Sequence, residues 1–189
     1  MNKKFQKIWR LALPYLKKGK RKNFVIHTEE VVKAMELILA KEKGDKNILI
    51  PAAILHDVGW SKVPIRLQRS SNKNQQKKAL QLHLEYAPKI INKILVKLKY
   101  SPSQIKTIIE IVMAHKFSSP HRQDKRLLID ADNLSEVFKV SFANDLKAYQ
   151  QTPQGLYNFR MKNKFYTKTA AKIFKQELAK RKEEIYKVN

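Results

Sequence analysis

The chain has no cysteine among its 189 residues. Disulfides, thiolate nucleophiles and cysteine-caged zinc are therefore excluded, and any metal site must be built from nitrogen and oxygen. Glycine is scarce too: four glycines and seven prolines leave a chain rich in lysine, leucine, isoleucine and alanine, which favours helix over sheet. No apolar run approaches the roughly 20 residues that a membrane span needs. The apolar stretch Leu11-Ala12-Leu13-Pro14-Tyr15-Leu16 is short, carries Pro14 and runs into lysines, unlike a signal peptide, so a cytoplasmic protein is expected. Acidic residues are the last shortage, with 16 Asp and Glu against 40 Lys and Arg and a net charge of +24. A field of that size draws in anions, whether nucleotides, RNA, acidic proteins or membrane headgroups. The basic residues are spread along the chain with lysine dominant, and the arginine-aromatic combinations that read bases are few, so nucleic acid is an open partner and not a specified one. Lys17–Lys22 is the dense local patch.

What is present is a succession of amphipathic segments. Phe5, Ile8, Trp9, Ala12 and Leu16 make a stripe on a first helix, bent or restarted at Pro14. Further helices are expected at about residues 24–43, 48–58, 74–99, 102–116, 122–150 with a break, 153–165 and 167–187; Ser101-Pro102 and Thr152-Pro153 are helix-start signals. The segment Ser61 to Asn74, with Pro64, Ser70 and Ser71, reads as a loop that could close over a site. The length suits one well-buried core. The expectation is an all-α, single-domain helical bundle, with a basic amino-terminal helix and linker at 1–22, a core at 23–140 and packing helices at 141–189.

One dipeptide stands out. His56-Asp57 lies inside the apolar run Ile50-Pro-Ala-Ala-Ile-Leu-His-Asp-Val-Gly-Trp60. Two polar groups desolvated without compensation cost several kcal/mol, and a divalent cation compensates both at once. Other candidates are spaced around the pair: His27 before it, then His83, His115 and the segment Asp130-Ala131-Asp132 after it. On a helix, positions three, four and seven apart share a face. His27 falls in line with Val31, Ala34 and Ile38; His83 with Leu80, Ala87, Ile90 and Ile94; His115 with Ile108, Ile111 and Val112. Each histidine thus sits on an apolar stripe and should point inward. Periodicity leaves the aspartates open, because Asp130 aligns with Leu127, Leu134 and Val137 and Asp132 with Leu128. The two carboxylates point about 200° apart, so only one can enter a shared cluster. His121, in the polar stretch before Arg122, reads as a surface residue.

His27, then His56-Asp57, then Asp132 in Leu-Leu-Ile-Asp-Ala-Asp-Asn-Leu resembles the HD superfamily of metal-dependent phosphohydrolases, over roughly residues 23 to 138. The resemblance implies a helical bundle of the HD-domain type. It chooses Asp132 over Asp130 as a ligand, and makes His83 and His115 similar to the extra ligands of the two-metal branch, which includes HD-GYP proteins and hydrolases of dinucleoside polyphosphates. The Gly-Tyr-Pro tripeptide is absent, so the substrate is not inherited with the fold. The implied enzyme holds one or two divalent ions, manganese or iron first, with magnesium, cobalt, nickel or histidine-carboxylate zinc as alternatives. Its ligands are His27, His56, Asp57, His83, His115 and Asp132, with Asp57 bridging if two ions bind. His56 and Asp57 stand at the reacting centre, and metal-activated hydroxide attacks phosphorus in line. The substrate class is a phosphate mono- or diester, with a nucleotide the most economical choice. Lys62, Arg66, Lys116 and Arg122 flank the ligand segments as phosphate contacts, Lys62 ahead of the others. The competing expectation is a non-catalytic helical protein of the same fold that binds nucleotide or nucleic acid. Oligomeric state is not legible.

Overall fold

A computed structural model describes residues 3–19, 23–117 and 119–186, with no strand among them. Lys20, Arg21 and Lys22 of the basic patch lie outside the described residues. Within the described residues, ten α-helices and one 3-10 turn follow in order: α1 (Lys3–Leu16), α2 (Phe24–Leu39), α3 (Lys46–Leu55), the 3-10 turn Val58–Lys62, α4 (Ile65–Gln68), α5 (Lys73–Lys97), α6 (Pro102–Met113), α7 (Gln123–Ser135), α8 (Lys139–Tyr149), α9 (Pro153–Arg160) and α10 (Lys168–Tyr186).

The helix starts follow local chemistry. The Asn23 side chain caps α2 by accepting from Ile26 N–H, and Asp45 caps α3 by accepting from Asn47 N–H. Asn72 caps α5, its side-chain oxygen accepting from the N–H groups of Asn74 and Gln75. Ser101 and Gln104 form a reciprocal capping box at α6, with Pro102 in its first turn. The expected breaks occur at shifted positions. The 122–150 segment divides into α7 and α8, 24–43 stops at Leu39, and 153–165 stops at Arg160.

The arrangement is governed by α3. Residues Leu49 to Leu55 are buried on every side, as a helix without a polar face must be. Around it pack α1, α2, α6 and α7, while α5 lies along α6 and the 3-10 turn. α1 contributes Phe5, Ile8, Ala12 and Leu16, the stripe expected from its spacing. The sequence at the end of this central helix therefore falls in the middle of the bundle.

Two buried polar clusters tie the later helices to the core. Arg160 is 4% exposed and bonds Glu136 and Asp145 at 2.6 Å each, joining α7, α8 and α9. Asp130 accepts bonds from Tyr166 N–H and Thr167 N–H at 2.8 Å, and from the Thr167 hydroxyl at 2.7 Å, fixing the approach to α10. Between Ser61 and Asn74 the structure corrects the sequence reading. α4 interrupts the expected loop, Leu67 and Gln68 are buried, and Gln68 donates to the Trp60 and Val63 carbonyls at 3.1 and 2.8 Å. This segment is anchored at its centre. No described helix is long and apolar enough to cross a membrane.

Candidate metal centre

Five elements deliver the six polar candidates: α2 brings His27, the end of α3 brings His56 and Asp57, α5 brings His83, the turn after α6 brings His115, and α7 brings Asp132. All six are at most 4% exposed. Their apolar alignments hold, since Val31, Ala34, Ile38, Ala87, Ile90, Ile94, Ile108, Ile111 and Val112 are buried with them.

Asp57 is at the middle, and its two oxygens face different partners. Oδ2 lies 3.5 Å from His27 Nε2 and 3.3 Å from His56 Nε2; Oδ1 lies 3.7 Å from His83 Nε2 and 3.9 Å from His115 Nε2. Asp132 joins the first group, with Oδ1 at 3.1 Å from His27 Nε2 and 3.8 Å from His56 Nε2. Two three-residue donor groups result, His27-His56-Asp57 and Asp57-His83-His115, each with its ligand atoms within 4.8 Å of one another. They share one carboxylate.

The tautomers turn lone pairs toward the middle of the cluster. His56 Nδ1 is 2.8 Å from the Ala53 carbonyl and His115 Nδ1 is 2.5 Å from the Val112 carbonyl. A carbonyl only accepts, so both Nδ1 atoms carry hydrogen, and in the neutral rings Nε2 presents a lone pair. Those lone pairs face other imidazole nitrogens: His56 Nε2 to His27 Nε2 at 3.3 Å, and His115 Nε2 to His83 Nε2 at 3.5 Å. Acceptors gathered around a carboxylate need a proton or a metal ion among them, and the backbone carbonyls behind the rings are the usual supports of metal-binding histidines. The donor set of imidazole and carboxylate suits first-row divalent ions.

Electrostatics separates the two halves. Burial opposes the charge on His56, but Asp57 and Asp132 outweigh it and raise its pKa. Burial likewise opposes the Asp57 charge and is outweighed by His56, His27 and His83, which hold the carboxyl well below the usual range. On the other side, burial pushes His83 down to about 4 and, with Lys116, pushes His115 well below an ordinary imidazole. The His83-His115 half is neutral at physiological pH and needs to lose no proton to bind an ion.

Of the four cations expected to meet phosphate, Lys116 is brought to the cluster. Its ammonium pairs with Asp132 Oδ2, while 31% of its side chain remains exposed. Burial disfavours that charge, but Asp132 and Asp57 outweigh it and raise the lysine pKa. Lys62 and Arg66 are exposed. Arg122 is engaged elsewhere, with Glu110 at 2.7 Å and Asp124 at 2.5 Å. Of the four, Lys116 is the one paired with a member of the cluster. His121 is exposed, as its polar context suggested.

Residue spacing missed two neighbours of the candidate ligands. Trp60 donates from Nε1 to Asp57 Oδ1 at 3.2 Å and stacks on His83, and Gly59 packs where any side chain would collide with the His83 carbonyl. The signal for both is their place within one turn of Asp57, in a run whose hydrophobicity masks it.

A family model described as HD domain matches residues 24–146. The chain belongs to the HD domain family. Proteins of this family are mostly metal-dependent hydrolases, and the match spans every member of the two donor groups together with Asp132 and Lys116. Neither curated proteins nor solved structures gave a match.

Proposed function

We propose that this HD-domain protein is a metal-dependent phosphohydrolase that acts on a phosphate mono- or diester, with a nucleotide as the substrate, through a two-ion centre. The observation that carries the reading is the division of Asp57, one oxygen toward His27 and His56 and the other toward His83 and His115. Two ions sharing a carboxylate form the clamp that in-line displacement at phosphorus uses. In this assignment His27, His56, Asp57 and Asp132 would hold the first ion, and Asp57, His83 and His115 would hold the second. Bound there, the ions would supply hydroxide at neutral pH and take up charge on phosphoryl oxygens.

The chain's own residues supply the rest. His56 and His115 are fixed in tautomer and direction by the Ala53 and Val112 carbonyls. Lys116 orients Asp132 and is the cation available to a phosphoryl oxygen beside the ligands. Exposed Lys62 and Arg66 add to the field that draws an anionic substrate toward the centre.

The test is metal analysis of protein purified without added metal, followed by assays of the manganese- or iron-loaded protein. The assay panel is p-nitrophenyl phosphate, bis-p-nitrophenyl phosphate, and nucleoside mono-, di- and polyphosphates. One to two bound ions and turnover abolished by Asp57→Ala are expected. Ion-free protein that gains neither ion nor activity on loading overturns the proposal.

A further inference from the structure

Three groups of residues compete for a role beyond the ligand set: the lysine-lined groove around Tyr100, the buried Arg181 beside Glu184, and the aromatic stack behind His83. Only the stack combines a fixed geometry with direct contact to Asp57 and His83.

Trp60 is 4% exposed and is stacked on two rings. It is stacked on Phe24, with centroids 5.4 Å apart and planes at 23°, and on His83, at 4.7 Å and 9°. Its backbone is held as well, by Trp60 N–H to the Asp57 carbonyl at 3.1 Å and by Gln68 Nε2 to the Trp60 carbonyl at 3.1 Å. Gly59 lets this turn approach α5 so closely: a Cβ there would lie 1.9 Å from the His83 carbonyl oxygen. The indole is therefore held by two ring contacts and by its anchored backbone while its Nε1 hydrogen points at Asp57 Oδ1, 3.2 Å away.

A carboxylate oxygen has two in-plane lone pairs. With one taken by the indole N–H, Oδ1 has one left to give to an ion between His83 and His115. Asp57 cannot then turn both oxygens onto the His27-His56 side without breaking the indole bond. The same ring fixes the plane of His83. We infer that Trp60 is a positioning residue for the His83-His115 half: its N–H holds Asp57 in the bridging orientation and its face holds His83, so that it sets the affinity of the second ion and leaves the first largely unaffected. This rests on the two-ion reading above.

The test uses Mn2+ in equilibrium dialysis with the full chain, comparing the native protein with Trp60→Phe, which keeps a ring against Phe24 and His83 and removes the N–H. The expected result is an unchanged first equivalent and a second equivalent weakened about tenfold or more, the effect usual for loss of a ligand's supporting hydrogen bond. Equal affinity of native protein and variant for the second equivalent overturns the role of Trp60 while leaving the two-ion reading intact. A native protein that takes up no ion overturns both. A second measurement needs no change at Trp60. Trp9 is the only other tryptophan, so Trp9→Phe leaves an emission that reports Trp60 alone. Titrated with Zn2+, that emission should change with the second equivalent, and the change should vanish in Trp9→Phe/His115→Ala. Emission that follows the first equivalent, or no equivalent, overturns the inference.

Discussion

Lys116 holds Asp132 by Oδ2, which leaves Oδ1 directed at His27, 3.1 Å away. On the two-ion proposal the lysine would thus act both on a ligand and on the anion beside it. Lys116→Met should retain metal, because all six candidate ligands remain, yet lose activity by about 100- to 1,000-fold as the phosphoryl cation disappears. Lys116→Arg should recover part of the loss. Metal content and kcat on the same preparations check this; activity equal to the native protein in Lys116→Met would remove the lysine from the reaction.

Asp130 and Asp132 are two residues apart and have unrelated surroundings. Asp132→Ala should abolish turnover and reduce bound metal. Asp130→Ala should leave metal content intact and lower stability by about 1–3 kcal/mol, because the Tyr166 and Thr167 amides lose a buried acceptor. Urea unfolding paired with metal analysis separates them, and the opposite ranking would mean that the register assigned to α7 is wrong.

Replacing His83 or His115 by alanine should halve the metal stoichiometry and strongly slow hydrolysis, whereas His27→Ala should disturb the Asp132 side. The alternative is a pair of purely structural histidines. In that event both variants would keep the native ion content and show only a lower Tm.

Metal-free protein should be most stable near neutral pH. Burial depresses His83 to about 4 and His115 well below its ordinary value, so below about 6.5 the unfolded chain takes up protons that the folded chain refuses. Stability then falls as pH drops from about 6.5 toward 4, by about 3 kcal/mol for His83 alone at 1.36 kcal/mol per unit. His56 runs the other way: its raised pKa gives a contribution complete below about 6.5 and lost as pH rises through the folded value. Asp57 and Asp132, both depressed, contribute fully above about 3.8, and that contribution declines below it and is lost as pH falls through their lower folded values. Urea unfolding in EDTA from pH 4 to 9 measures the profile; stability rising steadily from pH 7 to 4 would contradict it.

Lys99 has φ of 59° in the turn that ends α5, where Lys99 N–H bonds the Val96 carbonyl and Tyr100 N–H bonds the Leu95 carbonyl. Glycine adopts this left-handed C-cap geometry without a Cβ penalty. Lys99→Gly should therefore raise stability by about 1 kcal/mol, seen as a higher Tm.

The parts of this protein legible in its sequence are those with a helical period or an unbroken apolar run. The stripes of α1, α2, α5 and α6 announced both the bundle and the inward direction of His27, His83 and His115. The central helix betrayed itself by lacking a polar face. Asp130 and Asp132 defeated periodicity because both lie among buried neighbours, and what separates them is the pairing of one with the start of α10 and of the other with Lys116. Gln68 and Arg160 were invisible for a related reason: each is polar, yet buried by partners on elements distant in sequence or folded back on themselves. The short α4 was lost because its prolyl and seryl surroundings carry turn chemistry, while the buried Leu67 and Gln68 carry the packing.

The enclosure of the six candidate ligands at no more than 4% exposure has a kinetic side. Their rings and carboxylates sit on five helices and turns that pack on one another, so on the two-ion proposal both an ion and a phosphoryl group would reach them only when that packing opens locally. Ion exchange and substrate entry would then be timed by the same breathing of the bundle, beside the partly exposed Lys116.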